Sequence, residues 1–233
     1  SFIIISLLFM YFLTDTVGLP GTLAGLVMVP GKVWDAISDP LMGYISDNLK
    51  TRFGRRRIFF LLGIIPVALS FTLMWLTIRT GNPFLTFSYY ALIFIFFRTA
   101  FTMVMVPYSA LNAEMTLDYK VRMRLSGARM IFSQLSALIC AVVPKLIIDN
   151  FYKDNLEEGY MVMAIAFSIF FAIPWIFVYL GTWEIAAARK QEGASAANFF
   201  KSSKTLFINK SFKVHMGMYI FSYAAMDILM AVL

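Results

Sequence analysis

The chain has 233 residues, of which 60% are hydrophobic and only 14% charged, whereas a soluble domain averages about 45–50% apolar and about 25% charged. That leaves too little polar surface to coat a water-soluble globule, and the single cysteine, Cys140, excludes an intrachain disulfide. The formal charge of +7 does not signal nucleic acid, because the basic residues cluster between apolar runs, where membrane topology accounts for them.

Seven hydrophobic segments are predicted, at about 1–13, 21–46, 58–78, 84–113, 126–148, 160–183 and 213–233. A membrane span needs about 20 mostly apolar residues. Ile58 to Ile78 and Tyr160 to Trp183 carry no charge, and Phe84 to Ala113 carries only Arg98. The fold class is therefore all-α, a polytopic transmembrane helical bundle. Residue 1 is Ser and opens directly into an apolar run, and the last residues stop inside another. The first and last spans are expected to be incomplete.

The connections alternate in charge. Lys50, Arg52, Arg55, Arg56 and Arg57 follow the second segment; Lys120, Arg122 and Arg124 follow the fourth; Arg189, Lys190, Lys201, Lys204 and Lys210 follow the sixth. The other connections hold Arg79 and Lys153 beside Asp15, Asp149, Asp154, Glu157 and Glu158. The positive-inside rule places the basic connections in the cytoplasm of a multi-pass inner-membrane protein. The long polar connection at 184–212 comes after the sixth segment, where a two-times-six transporter has its midpoint. The expected organisation is a first half at 1–183, a cytoplasmic linker at 184–212 and the start of a second half at 213–233. Pro30, Pro40, Pro66, Pro107 and Pro174 lie inside spans. Each frees the carbonyl four residues earlier, which in lipid must find a partner or line a cavity.

The second segment carries the chemistry. Lys32, Asp35 and Asp39 stand within it, and an ionisable group at a helix centre costs roughly 2.5–3.5 kcal/mol on insertion scales. The spacing of Asp35 and Asp39 puts both carboxylates on one helix face. Pro40 frees the carbonyl of Ala36 on the next turn. Oxygen ligands on successive turns suit a small hard cation, and two close carboxylates can instead share a proton. Lys32 is expected to pair with Asp35 while the cation is absent. Arg98 is either a partner for one of these acids or part of a separate structural pair. Downstream, Gly43 and Asp47 precede Arg52, Gly54, Arg55 and Arg56. Gly43 suits close helix approach, and an Asp47–arginine pair would form a cytoplasmic gate.

Trp34-Asp35-Ala36-Ile37-Ser38-Asp39-Pro40-Leu41-Met42-Gly43, followed by the Arg-x-Gly-Arg-Arg loop, resembles the glycoside–pentoside–hexuronide:cation symporters of the major facilitator superfamily. Tyr11 to Asp15, Val106 to Leu111 and Arg122 to Arg129 extend the resemblance. It implies the major facilitator fold and a monomer that moves a sugar or glycoside with sodium, lithium or a proton and needs no cofactor. It implies that Asp35, Ser38, Asp39 and Thr102 surround the cation, with Asp35 and Asp39 the only metal-ligating acids and Lys32 a basic neighbour. It also implies that Arg129 lies near the sugar. Ser38 stands where the best-known member has asparagine, a change that bears on cation preference. Met105 and Ser109 replace an acid and a tryptophan that contact galactoside there, so a galactoside-specific site is not expected.

Two other readings compete with this one. A membrane phosphotransferase or prenyltransferase could use Asp35, Asp39 and Asp47 to hold magnesium, but it needs a further acid where Thr51 stands. A transporter of lipid would suit a Met- and Phe-rich cavity.

Overall fold

The computed structural model describes residues 2–49, 51, 54–116, 118–152, 155–182 and 210–232. Among the described residues every regular element is helical. α1 (Phe2–Ile4) continues into two π-helical stretches, Ile5–Phe9 and Phe12–Thr16. α2 (Gly21–Leu26), α3 (Met28–Asn48), α4 (Arg57–Met74), α5 (Pro83–Glu114), α6 (Tyr119–Phe151), α7 (Leu156–Gly181) and α8 (Lys210–Val232) follow. The chain divides into two compact units, Ser1–Gln191 and Glu192–Leu233. In the second, α8 is the described element.

α4, α5, α6 and α7 are long and apolar enough to cross a membrane. α3 has 21 residues, but Lys32, Asp35, Asp39 and Asp47 lower its apolar content.

Two departures from the sequence expectation have a local reason. The predicted segment 21–46 is broken at Val27 into α2 and α3. Pro30 has no N–H to give Leu26, so the helical ladder lapses there. α6 begins at Tyr119 rather than 126, because the Asp118 side chain accepts from Lys120 N and caps it. Lys120, Arg122 and Arg124 therefore stand on a helix rather than in a loop. α6 also runs through Pro144, a proline the sequence reading did not single out. Other starts follow ordinary capping: Asn82 accepts from Phe84 N, with Pro83 at the first helical position. Asn155 accepts from Glu158 N, with Glu157 and Glu158 in the first turn of α7, where the helix dipole favours acids.

In the first unit α4 packs against α5 and α7, and α3 packs against α5. The main core gathers Phe9, Phe12, Phe71, Trp75, Tyr90 and Tyr160. Trp75 and Tyr160 stack with ring centroids 5.6 Å apart. Tyr89 and Tyr90 donate to the carbonyls of Leu73 and Leu76 at 3.0 and 2.8 Å, satisfying groups that the end of α4 leaves open. At the same end Arg79 donates to Thr16 O at 2.5 Å and pairs with Glu157 at 2.6 Å. Both side chains are largely exposed, so this tie contributes little stability.

Glycine sets the spacing of α4 and α5. A Cβ on Gly63 would sit 2.5 Å from Val104 Cγ2, and Val104 is fully buried. Gly63→Ala should therefore overpack this interface and cost about 1–3 kcal/mol. The check is thermal unfolding of the full-length protein in detergent. An unchanged melting temperature would mean that α4 and α5 do not approach this closely.

Candidate functional site

α3 and α5 run side by side in register, four residues per step. Gly31 faces Phe94, Asp35 meets Arg98, Asp39 meets Thr102, and Gly43 faces Val106. The close approach is made at Gly31, where a Cβ would fall 2.4 Å from Phe94 Cδ1 and 3.1 Å from Arg98 Cγ. Gly43 is not the tight point expected from sequence, since a Cβ there would lie 3.9 Å from Val106 Cγ1. With the helices held this near, two side-chain rungs cross between them on successive turns.

The first rung is ionic. Arg98 Nε donates to Asp35 Oδ1 at 2.8 Å, and Arg98 Nη2 pairs with Asp35 Oδ2. The fork-on-carboxylate geometry makes this a strong, directional contact. Phe2 covers the guanidinium from another side, with Arg98 Cζ 4.7 Å from its ring centroid. The side chains retain 21% and 14% of their exposure. Lys32, the expected partner of Asp35, is exposed and makes no ion pair among the described residues. Arg98 outcompetes it because a bidentate fork from the facing helix meets both carboxylate oxygens.

The second rung is neutral-to-charged. Thr102 Oγ1 donates to Asp39 Oδ1 at 2.8 Å, and Asp39 is exposed. No cationic side chain pairs with it among the described residues. Next to it, Ser38 is buried, and its hydroxyl has no hydrogen-bond partner. Ser38 does not line the cavity that takes in Asp39. Trp34 Nε1 donates to Thr99 Oγ1 at 2.8 Å, a further α3–α5 link beside the first rung.

Asp39, Arg98 and Thr102 line one cavity of about 440 Å³ together with Met105 and Ser109. The two positions at which the sequence departs from the galactoside pattern thus face the same space as the acid. Arg129 lies elsewhere, in a cavity of about 530 Å³ lined also by Tyr108, Asn112 and Ser133. Its guanidinium carbon lies 5.0 Å from the Tyr108 ring centroid, so it is not brought to the Asp39 cavity.

At the Asp47 end of α3 a second polar cluster forms. Arg56 Nη2 donates to Asp47 Oδ1 at 2.5 Å, and Arg56 Nη1 pairs with Glu114 Oε2 at 2.6 Å. Arg55 reaches the same Glu114 oxygen at 3.3 Å. Arg56 is buried, its side chain only 6% exposed. Burial alone would lower the Arg56 pKa, but the hydrogen bonds it donates to Asp47 and Glu114, with the charge of both acids, outweigh it and hold the value above that of an ordinary guanidinium. Gly54 adopts φ 107°, a left-handed conformation suited to glycine, and turns the chain between Asp47 and Arg56. Arg52 lies outside the described residues. Glu114 was not legible in the sequence: it stands one residue past the predicted apolar segment, and only the fold brings it under Arg56. Arg57 closes the same end by donating to Tyr179 O at 2.5 Å at the end of α7.

Residues 2–233 match the family described as MFS/sugar transport protein. An uncharacterized symporter of Synechocystis, sll1374, is 36% identical over 165 residues, covering 69% of this chain and 30% of its own length. The isoprimeverose transporter of Lactiplantibacillus pentosus is 22% identical over 186 residues, covering 79% and 39% respectively. The chicken sodium-dependent lysophosphatidylcholine symporter 1 is 27% identical over 161 residues, covering 68% and 30%. The chain thus spans less than half the length of these relatives. It belongs to the MFS/sugar transport family, among the glycoside–pentoside–hexuronide:cation symporters, a group of multi-pass cell-membrane transporters rather than enzymes.

Proposed function

We propose that the protein carrying this chain is a secondary active transporter that couples a sugar or glycoside to sodium or a proton by alternating access. One observation carries the reading: Asp39 is an exposed carboxylate in a cavity between α3 and α5, held among the described residues by the Thr102 hydroxyl. Asp35 is already neutralised by Arg98, so the cluster retains about one negative charge for one monovalent ion. Asp39 and Thr102 supply hard oxygen ligands at the cavity, the adjacent Ser38 hydroxyl is a further candidate, and Asp35 stays with Arg98. A lone carboxylate at this depth is costly unless neutralised, which gives the ion its binding energy. Arg129 is the substrate residue implied by the family pattern. The ends that carry Asp47, Arg56 and Glu114 face the cytoplasm, and their cluster is the inner gate, closed in this arrangement and broken in the opposite one.

A second reading concerns the solute. The Asp39 cavity is walled by Phe2, Phe101, Met105 and Val106, and this apolar lining suits an amphiphile such as a lysolipid. One relative is named for such a substrate.

The test uses the full-length transporter in liposomes. Labelled pentosides, hexosides, hexuronides and lysophosphatidylcholine are offered with and without a sodium gradient, over roughly pH 5.5 to 8. Concentrative uptake of a sugar driven by either ion supports the first reading, and of lysolipid alone the second. Uptake that no gradient drives would remove coupling altogether.

The gate makes a separate prediction. Asp47→Asn in the full-length protein should slow turnover and favour the inward-open state, while substrate affinity stays nearly unchanged. Equal turnover with and without Asp47 would leave Arg56 a role in anchoring alone.

A further inference from the structure

We propose that Arg98 is a resident counter-ion that withdraws Asp35 from ion ligation and limits the site to one monovalent cation, held by Asp39. This rests on the reading that the α3–α5 cluster is the coupling site. The two rungs are built alike, one turn apart on the same pair of helices, but only one is filled by a fixed charge. On the first, both Asp35 oxygens are taken by the Arg98 fork. On the second, Asp39 has a hydroxyl partner and opens to the cavity. A guanidinium is always charged, so Arg98 cannot leave Asp35 by losing its proton. It is also held on three sides: by Asp35, by the Phe2 ring at 4.7 Å and by the close approach of Gly31 to its Cγ. A mobile ion would have to displace this packed fork to use Asp35, whereas Asp39 requires no displacement. Two free carboxylates at this spacing would attract a divalent ion or two monovalent ions. One free carboxylate beside a fixed cation attracts one.

The charges facing the pair settle what each substitution does. Removing Asp35 strands Arg98 beside Asp39, where it competes with the incoming ion. Removing Arg98 exposes a second acid. Removing both leaves Asp39 as it was. Lys32, one turn before Asp35, is exposed and is common to every variant.

The test is equilibrium ²²Na⁺ binding to the purified full-length protein. Asp35→Leu should weaken sodium binding by roughly tenfold or more, since an unpaired guanidinium lies one turn away. Arg98→Met should tighten it by roughly threefold or raise the stoichiometry above one, because a second acid joins the site. Asp35→Leu/Arg98→Met should return to within about threefold of the starting protein, as a charge-neutral pair exchanged for apolar packing. If either single variant fails to fold, the double variant decides. Asp35→Asn/Arg98→Gln stands in for it if needed. A folded double variant that has lost sodium would show Asp35 to be a ligand and overturn the proposal. A folded Arg98→Met protein with unchanged affinity and stoichiometry would reduce the pair to a strut, overturning it also. Sodium binding that survives Asp39→Ala would instead remove the site itself, and its absence from the starting protein would overturn the proposal in favour of a site that takes only a proton.

Discussion

Asp39→Asn in the full-length transporter should abolish ion-driven accumulation while leaving downhill movement of the solute in place. The amide keeps the shape and the hydrogen bond to Thr102 but removes the one carboxylate that Arg98 does not already neutralise. Without that charge a bound cation loses its principal electrostatic partner, and the free energy that couples ion to solute goes with it. Linkage requires the loss to be reciprocal: if the ion no longer tightens solute binding, the solute no longer tightens ion binding. Accumulation against a gradient should fall to the equilibrium level whether sodium or acid outside is the driving force. Exchange of labelled for unlabelled solute should persist, because solute contacts lie on other groups. A variant that still concentrates solute with the same dependence on sodium and pH would show that Asp39 serves only to hold α3 to α5.

The second large effect is on stability. Asp47→Asn together with Glu114→Gln removes both carboxylates from Arg56, whose side chain is only 6% exposed. Stripping acidic partners from a buried charge of this kind costs about 3–5 kcal/mol. Either substitution alone leaves Arg56 one acid, so the double variant should lose more than the two single losses combined. The pH dependence has a definite sign. Because the Arg56 pKa is raised in the folded protein, its contribution is complete below the ordinary guanidinium value and fades only as pH rises above it. Titration of Arg56 therefore changes nothing in the working range. Unfolding of the full-length protein in detergent checks both points. Additive, small losses would mean that Asp47 and Glu114 are not what holds the Arg56 charge.

What could be read from the sequence divides along a physical line. The apolar runs that became α4 to α7 were legible because about twenty mostly apolar residues have few other fates. Asp35 and Asp39 were legible as neighbours because the helical repeat places them on one face. Partners across helices were not, because no local periodicity encodes which face of α5 meets α3. Arg98 was therefore an open alternative and Lys32 the nearer candidate, although geometry favours the arginine fork. Glu114 was hidden for the same reason, its partners lying across the chain at Arg55 and Arg56. The break at Val27 and the early start of α6 at Tyr119 depend on one proline and one capping aspartate. Hydropathy averages over such single residues. The close approach at Gly31 rather than Gly43 likewise depends on what stands opposite, a phenylalanine at one and a valine at the other.

The most direct test is to locate the ion. Crystals of the full-length protein soaked in thallium or rubidium chloride would show the bound cation by anomalous scattering. The peak should lie between α3 and α5, within coordination distance of the Asp39 carboxylate and the Thr102 hydroxyl, with Arg98 still on Asp35. It should vanish in Asp39→Asn crystals. A peak bound elsewhere, or one that persists in the variant, would contradict the assignment of Asp39 as the coupling-ion ligand.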